Sequence, residues 1–504
     1  MSEEQKKSVN GARPTTDELR SFVSSGWSPR STTLPERAEV ASYAATRREA
    51  ISARFPGDRL VIPAGGLKVR SNDCDYVFRP HSAFAHLTGF GGDQEPDAVL
   101  VLEPREEGGH DAVLYFRPWG GRDTDEFFSD SRYGEFWVGP RPTLEDIEAE
   151  FGITARHIDD FSDAVAKDAG HLVVRVVRDA DRDLTATLDE VRSTATEESE
   201  ESVEAAEQTR VEADDALASA LSSLRLVKDE YEIEQMRQAV AATQEGFEAV
   251  IAELREALAR GRGERWVEGV FGLHARHSGN GIGYESICAS GDHATTLHWV
   301  KNTGDVLEGD LLLLDAGVEV DSLFTADITR TLPIDGTFTE TQRTIYDAVY
   351  AAQQAAMQVM RPGVKYSEIH DTAIRVIAEH LHEWGFLPEG VDVEAALDTE
   401  HGQQFRRWMV HGTSHHLGLD VHDCAQATRE EYKDGVLEAG MILTVEPGLY
   451  FKADDQLVPE AFRGTGVRIE DDVLITADGF ENLSAGMPRT ADDVEAWIAR
   501  IWGR

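Results

Sequence analysis

The sequence is poor in cysteine and contains no long apolar run. Its cysteines, Cys74, Cys288 and Cys424, are three in number and widely spaced, which favours reduced buried thiols over a disulfide framework. The opening residues, Met-Ser-Glu-Glu-Gln-Lys-Lys, have no apolar stretch behind them. No uncharged run approaches the roughly 20 residues that a membrane span needs. We therefore expect a cytoplasmic protein without an export signal or a membrane anchor.

Positive charge is also scarce. The chain has 49 lysines and arginines against 93 acidic residues, a net charge of −44, and only nine of its basic residues are lysine. Nucleic acid and anionic membranes would be repelled by such a chain, so we expect neither as a partner. A cationic peptide amino terminus would be weakly attracted. The excess of acidic over basic residues fits either adaptation of the host to high salt or a compositional bias of its genome.

The length predicts more than one domain. A chain of 504 residues exceeds one ordinary core, and 41% hydrophobic residues supply enough apolar material for two. Residues 1–34 are rich in Ser, Thr, Arg and Pro, which predicts a mobile leader. An N-terminal domain of α/β class is predicted over residues 35–225. Its predicted strands lie at residues 60–63, 98–102, 112–116 and 172–177.

An acid-rich segment interrupts this domain at about residues 181–215. Between Glu197 and Asp215 there are nine acidic residues against the single Arg210. This composition predicts either a solvated helix or a disordered insertion.

The second predicted domain covers residues 226–504. Apolar residues recur at steps of three and four from Ile233 to Leu258, which predicts a long amphipathic helix. We expect Gly261 and Gly263 to end it. Capping-box spacing after Thr339 predicts another helix, and a further one is expected at about residues 367–384.

Acidic residues at the ends of apolar runs mark the candidate site. Leu311-Leu-Leu-Leu-Asp315 and the run that carries Asp327 predict two adjacent strands that bring two carboxylates together. Three further segments carry His415, Glu446 and Glu470. Four carboxylates and one imidazole suit hard or borderline divalent cations, and they provide too many oxygens for one structural zinc. The sequence therefore predicts a hydrolytic site with two metal ions.

These segments resemble the metallopeptidases of the pita-bread fold, in particular the Xaa-Pro aminopeptidase (aminopeptidase P) family. The motifs His-Gly-x-x-His-x-x-Gly, Val-Glu-Pro-Gly and Arg-Ile-Glu-Asp follow the family's order, and residues 82–90 and 95–102 resemble its amino-terminal domain. The resemblance implies a smaller α/β N-terminal domain followed by a pita-bread catalytic domain. That catalytic domain has a curved, mainly antiparallel sheet flanked by helices.

The resemblance also implies which residues bind metal. Asp315 would bind one ion, Asp327 and Glu470 would bridge two, and His415 with Glu446 would complete the second. Gly418 fixes the register of the motif on His415, so that His416 is a neighbour and not a ligand. The implied metal is Mn²⁺, although Co²⁺ or Zn²⁺ would suit the same donors.

The implied reaction is hydrolysis of the N-terminal Xaa-Pro bond of a peptide by a metal-bridging hydroxide. Glu446 would accept the proton of the attacking water, and His298 and His422 would polarise the scissile carbonyl. His411 would take part in substrate binding, and Arg468 would support Glu470. Peptides with proline at the second position are the implied substrates, and a homodimer or homotetramer is the implied assembly.

Three alternatives to this function are considered. A prolidase, which cuts only Xaa-Pro dipeptides, shares the ligands and differs in needing a group that holds the carboxylate of proline. Some pita-bread proteins bind partners without chemistry, but they have lost ligands, whereas all five positions are filled here. Methionine aminopeptidase fits less well, since it generally lacks so large a first domain.

Overall fold

The computed structural model describes residues 15–72, 74–195 and 203–503. The chain divides into two compact units between Asp214 and Asp215, and residues 90–92 belong to the second. The predicted boundary near residue 225 stays a prediction, since one helix, Val203–Leu224, contains the point of division. Among the described residues, no helix combines the length and the apolar character needed to cross a membrane.

A mixed sheet of five strands forms the centre of the first unit. The strands of this unit are β1 (Arg59–Pro63), β2 (Val69–Ser71), β3 (Cys74–Asp75), β4 (Val99–Pro104), β5 (His110–Phe116), β6 (Thr154–His157) and β7 (Val174–Val176). The sheet has the order β6-β5-β4-β1-β7, and β2 and β3 pair separately. The outer strands β6 and β7 run parallel to their neighbours, and the inner pairs are antiparallel. All four strands predicted from the sequence are present.

The helices that begin in this unit are α1 (Asp17–Ser24), α2 (Val40–Arg54), α3 (Ser82–Thr88), α4 (Glu126–Ser129), α5 (Glu135–Val138), α6 (Leu144–Phe151), α7 (Phe161–Ala166), α8 (Arg182–Ala195) and α9 (Val203–Leu224), of which α9 continues into the second unit. Val61, Val101 and Val176 of the sheet join Phe161 and Leu188 of the helices in one buried core. Alternate strand residues point to this face, so burial of apolar area fixes the register of the strands.

Two of our predictions fall partly on residues that the structure does not describe. The predicted mobile leader includes residues 1–14, which lie outside the described residues, whereas Asp17–Ser24 forms a helix capped by Thr16. In the acidic segment, residues 196–202 lie outside the described residues. The described parts on either side belong to α8 and α9.

Among the described residues, four long helices, α10 to α13, and three shorter ones begin in the second unit. They are α10 (Glu230–Arg260), α11 (Gly263–Ser278), α12 (Glu340–Val359), α13 (Ser367–Glu383), α14 (Val393–Leu397), α15 (Arg429–Tyr432) and α16 (Ala491–Ile501). The predicted amphipathic helix is α10, and Asp229 caps it in a capping box. Gly261 follows its last residue as predicted, but Gly263 begins α11 instead of ending α10. The capping box predicted at Thr339 is present.

The strand ladders of the second unit are all antiparallel. Its strands are β8 (Gly281–Ile282), β9 (Ile287–Ser290), β10 (Leu311–Ala316), β11 (Val318–Glu319), β12 (Ile328–Pro333), β13 (Ile442–Val445), β14 (Gly448–Phe451), β15 (Thr465–Arg468), β16 (Asp471–Ile475) and β17 (Phe480–Asn482). They pair as β12-β10-β9, β13-β16-β17, β14-β15 and β11-β8. Every residue of β10 is buried, which explains why its sequence is a continuous apolar run.

Backbone hydrogen bonds join the segments that carry the acidic residues and His415. The Glu470 amide donates to the Thr329 carbonyl of β12 at 3.1 Å, and the Glu446 amide donates to the Thr413 carbonyl at 2.9 Å. The loop that carries His415 is joined to β13 through the Thr444 amide, which donates to the His415 carbonyl at 3.0 Å. These bonds bring the predicted ligand segments to one region of the second unit.

A buried arginine anchors the Glu470 segment, and removing it should lower stability. Arg330 of β12 is fully buried and donates to Asp471 Oδ1 and to the Glu470 carbonyl, both at 2.6 Å. In Arg330→Met, the buried carboxylate of Asp471 loses one cation but keeps Arg489 at 3.2 Å. We therefore expect the free energy of unfolding to fall by about 3 kcal/mol, near the lower end of the range for breaking a buried ion pair. Urea unfolding measures this.

The matched control is Arg343→Met. Arg343 pairs with Asp492 and Glu495 at 2.6 and 2.7 Å, but its side chain is 33% exposed and that of Asp492 is 86% exposed. A surface pair of this kind contributes about 1 kcal/mol or less. Equal losses in the two variants would contradict a special role for the buried pair.

Candidate active site

Asp315 and Asp327 lie next to each other because β10 and β12 pair. Asp315 lies opposite Thr329 in the antiparallel register, and Asp327 comes directly before β12. The Tyr284 hydroxyl contacts both carboxylates, at 2.7 Å from Asp315 Oδ1 and also against Asp327 Oδ1. The predicted strand pair is thus present, with Asp327 one residue outside its strand.

His415 and Glu446 face Asp327 from the neighbouring ladder. His415 Nε2 lies 3.3 Å from Asp327 Oδ2 and 3.7 Å from Glu446 Oε1. The other ring nitrogen, Nδ1, lies 3.1 Å from the His416 carbonyl, and a proton on Nδ1 leaves the Nε2 lone pair free to bind a cation. Burial alone lowers the pKa of His415, but the bond to Asp327 and the charge of Glu446 raise it overall.

Glu470 completes the group from the turn between β15 and β16. Its Oε2 accepts a hydrogen bond from the Thr329 hydroxyl at 2.7 Å. Ligand atoms of Asp327, His415 and Glu470 all lie within 4.8 Å of one another, and this group is one that could hold a metal ion.

We expected Arg468 to support Glu470, but its direct contact is with Asp315. Its guanidinium donates to Asp315 Oδ2 at 2.5 Å and to the Tyr450 hydroxyl at 3.0 Å. Its Nε donates to the Thr329 hydroxyl at 3.2 Å, and that hydroxyl binds Glu470. Arg468 therefore orients Asp315 directly and Glu470 through one hydroxyl group.

The site contains more buried carboxylates than positively charged side chains. Burial raises the pKa of Asp315 and of Glu446, to about 7 for Glu446, and it raises the pKa of Glu470 well above its usual range. One guanidinium, that of Arg468, does not neutralise so many buried carboxylates. Oxygen donors with one imidazole match divalent cations of hard or borderline character. The residues present therefore fit a divalent metal centre.

The three further histidines that we predicted for the site line the same cavity. Each of them has different neighbours. His411 is held between the Gly412 carbonyl at 2.6 Å and the Tyr450 hydroxyl at 2.8 Å. Its burial lowers its pKa to about 3, so it is neutral. The His422 ring lies 4.5 Å from the His415 ring at nearly a right angle, and burial lowers the pKa of His422. His298 lines the cavity from the 291–304 loop.

All nine residues that we assigned to the site line one cavity of about 570 Å³. The adjacent histidine does not belong to this lining. His416 is buried, its ring stacks 5.8 Å from Tyr366, and its edge meets Tyr432 at 4.6 Å. The structure thus directs His415 toward the acidic residues and His416 into the protein interior.

Three residues of the site were not predicted from the sequence. Tyr284 lies just after Gly283, Tyr450 lies in β14, and Lys433 follows α15. None of the three stands in a motif, and each reaches the site through tertiary packing alone. All four residues of β14 are buried, so no alternation of polar and apolar residues singled out Tyr450 beforehand.

Comparisons with known proteins decide the family. The models of "Metallopeptidase family M24" and "Aminopeptidase P, N-terminal domain" match residues 234–477 and 44–174. The chain is 51% identical over 495 residues to Xaa-Pro aminopeptidase 2 of Streptomyces coelicolor, covering 98% of this chain and 99% of the relative. The chain belongs to the Xaa-Pro aminopeptidases of metallopeptidase family M24. It is a metalloaminopeptidase, and the resemblance stated from its motifs is confirmed.

More distant relatives agree with this membership. Xaa-Pro aminopeptidase of Escherichia coli is 32% identical over 457 residues, with 89% of this chain and 96% of the relative covered. A solved structure of Escherichia coli aminopeptidase P in complex with substrate matches with a TM-score of 0.77 and 28% identity, over 93% of this chain and 100% of that one. Pseudomonas aeruginosa aminopeptidase PepP gives 0.76 and 31% over the same shares. The predicted pita-bread fold is confirmed.

Proposed function

We propose that this metalloaminopeptidase removes the first residue of peptides that carry proline at the second position. The observation that carries the proposal is the convergence of the five predicted ligands, three histidines and one arginine on a single cavity, in a chain 51% identical to a Xaa-Pro aminopeptidase. Burying several carboxylates together lowers the stability of a protein. A non-catalytic protein would gain nothing from retaining such a cluster.

We assign five residues to two divalent cations. Asp327 and Glu470 would hold both ions, Asp315 would hold one of them, and His415 with Glu446 would hold the other. Mn²⁺ is our proposed metal, because an oxygen-rich set with a single imidazole suits it. When bound, the cations supply Lewis-acid chemistry and lower the pKa of a water molecule toward neutrality.

The residues around the cations divide the remaining tasks. Glu446, held between His415 and His411, accepts the proton of the attacking water. His298 and His422 donate hydrogen bonds to the carbonyl oxygen before proline as negative charge develops there. His411, kept neutral and bonded to Tyr450, positions the substrate. Arg468 holds Asp315 in place.

Arg468 also favours an aminopeptidase over a prolidase. Its guanidinium already donates to Asp315, Tyr450 and Thr329. A carboxylate directly on proline would therefore have to compete with Asp315 for this cation. We further propose a cytoplasmic location and assembly as a homodimer or homotetramer.

Activity against a short series of peptides tests the function. With manganese present, kcat/KM is measured for one Xaa-Pro dipeptide, its Xaa-Pro-Xaa extension, and the amino-acetylated tripeptide. We expect the tripeptide to be cut after its first residue. We expect the acetylated peptide to be poor, because it gives the acidic site no ammonium group to hold.

A strong preference for the dipeptide would contradict this assignment. A ratio above about a hundredfold, roughly 2.7 kcal/mol in transition-state binding, would identify a prolidase. Cleavage of neither peptide with any divalent metal would leave only a binding role for the protein. Equal cleavage of a peptide with alanine in place of proline would refute the specificity for proline.

A further inference from the structure

A second cavity adjoins the catalytic cavity, and the mechanism above does not use it. Its volume is about 530 Å³. The two cavities share four wall residues, which are His411, Gly412, Ser414 and Lys433. The rest of the second wall comes from the start of α13, from Thr413 and from residues within 403–410 and 429–434. The second cavity therefore lies directly beside the catalytic residues, where the part of a peptide beyond the scissile bond has to go.

The two cavities carry opposite charge. The catalytic cavity is lined by five carboxylates and two cations, which are Glu285, Asp315, Asp327, Glu446 and Glu470 against Arg468 and Lys433. The second is lined by three cations, Arg406, Arg429 and Lys433, and by the single carboxylate of Asp434. Arg429 pairs with Asp434 at 3.0 Å. A local excess of positive charge thus remains, in a protein with a net charge of −44.

The two remaining cations are available to an anion. Lys433 Nζ lies 3.3 Å from the Tyr366 hydroxyl, and 5.0 and 4.7 Å from the ring centroids of Tyr366 and Tyr432, so aromatic faces support the ammonium. Arg406 donates to the neutral amide oxygen of Gln403 at 3.0 Å. Within the described part of the chain, neither cation forms an ion pair with a carboxylate.

A peptide matches this distribution of charge in one direction. Its ammonium end is attracted to the carboxylates of the catalytic cavity, while a negative group farther along is attracted to the second cavity. Resting on the proposed function, we propose that Lys433 and Arg406 form a subsite for a carboxylate on the carboxyl side of proline. That carboxylate is the free terminus of a short peptide or the side chain of Glu or Asp at the third or fourth position.

Paired substrates test the subsite and separate the two sources of carboxylate. One pair is Ala-Pro-Ala with a free or an amidated carboxyl terminus. In the other pairs, Glu or Gln occupies the third or fourth position of an amidated tetrapeptide. We expect kcat/KM to favour the carboxylate member of at least one pair by about tenfold. The ratio should fall with added salt, since this site is open to solvent.

Variants connect the preference to Lys433. We expect Lys433→Met to bring the ratio toward one, Lys433→Glu to invert it, and Lys433→Arg to retain it. The matched control is Lys365→Met, because Lys365 is exposed and lines neither cavity. This control should keep the ratio of the unmodified enzyme.

Two results would overturn the subsite. One is an equal kcat/KM within every pair for the unmodified enzyme, and the other is an unchanged ratio in Lys433→Met. Either result leaves cleavage of Xaa-Pro peptides intact, so it refutes the subsite and not the proposed function. Absence of cleavage of every peptide in the series would refute both.

Discussion

Asp327→Ala and Glu470→Ala are expected to abolish turnover and to lower the metal content to one ion or none. Each change removes a carboxylate that we assign to both cations, so each cation loses one donor. The negative charge that reduced the repulsion between the two cations is lost as well. Elemental analysis of the purified variants, together with kcat/KM on a Xaa-Pro-Xaa peptide, measures the two effects. Near-normal activity with two tightly bound ions in either variant would refute the ligand assignment.

The same variants should lose the stabilisation that metal binding provides, without a loss of stability in the metal-free protein. A merely structural defect would lower the stability of the metal-free protein. Without metal, burial and neighbouring acids raise the pKa of Glu470, so its removal relieves repulsion and should not lower the Tm of the metal-free protein. In the unmodified protein, metal at 100 times its Kd adds about 2.7 kcal/mol, and this gain should vanish in the variants. Asp321→Ala, at an exposed carboxylate outside the cavity, serves as the control.

His422→Ala is expected to keep its metal and to lose about 10²-fold or more in kcat. We assign His422 to the oxygen that becomes negative in the transition state, and loss of such a donor typically has this effect. Its ring lies beside that of His415 without taking the place of a ligand. Single-turnover rates and metal analysis on the same sample test the prediction. A variant that loses metal in proportion to its activity would make His422 a ligand instead.

His416→Ala is the control for the register of the histidine motif. His416 is buried against Tyr366 and Tyr432, so its loss leaves a void and should cost stability. The folded fraction should nevertheless keep its metal and much of its kcat. Loss of metal in His416→Ala with retention in His415→Ala would show that the register is wrong.

Local pattern was enough to predict the elements and the nature of the site. The capping box at Thr339 follows from residue spacing, α10 follows from a period of 3.6 residues, and β1, β4 and β5 follow from short apolar runs. Each of these signals acts within a few turns or strand positions. The acids at strand ends belong to the same class of signal. Asp315 and Glu446 each follow an apolar run, and Glu470 follows the alternating segment Val467-Arg468-Ile469, so the sequence itself predicted a carboxylate-rich metal centre.

Tertiary structure decided which of these groups meet and what surrounds them. Periodicity gives the face on which a side chain lies, but not which strands pair, and for this reason Arg468 could not be assigned to Asp315 beforehand. Tyr284 reaches two carboxylates, and Lys433 reaches both cavities, from segments without a motif. The sequence by itself determined the family and the donor types of the predicted site, because residue types and glycine positions are local. Only packing between distant segments decided the partners of Arg468 and the charge of the second cavity, because both depend on contacts that no local pattern encodes.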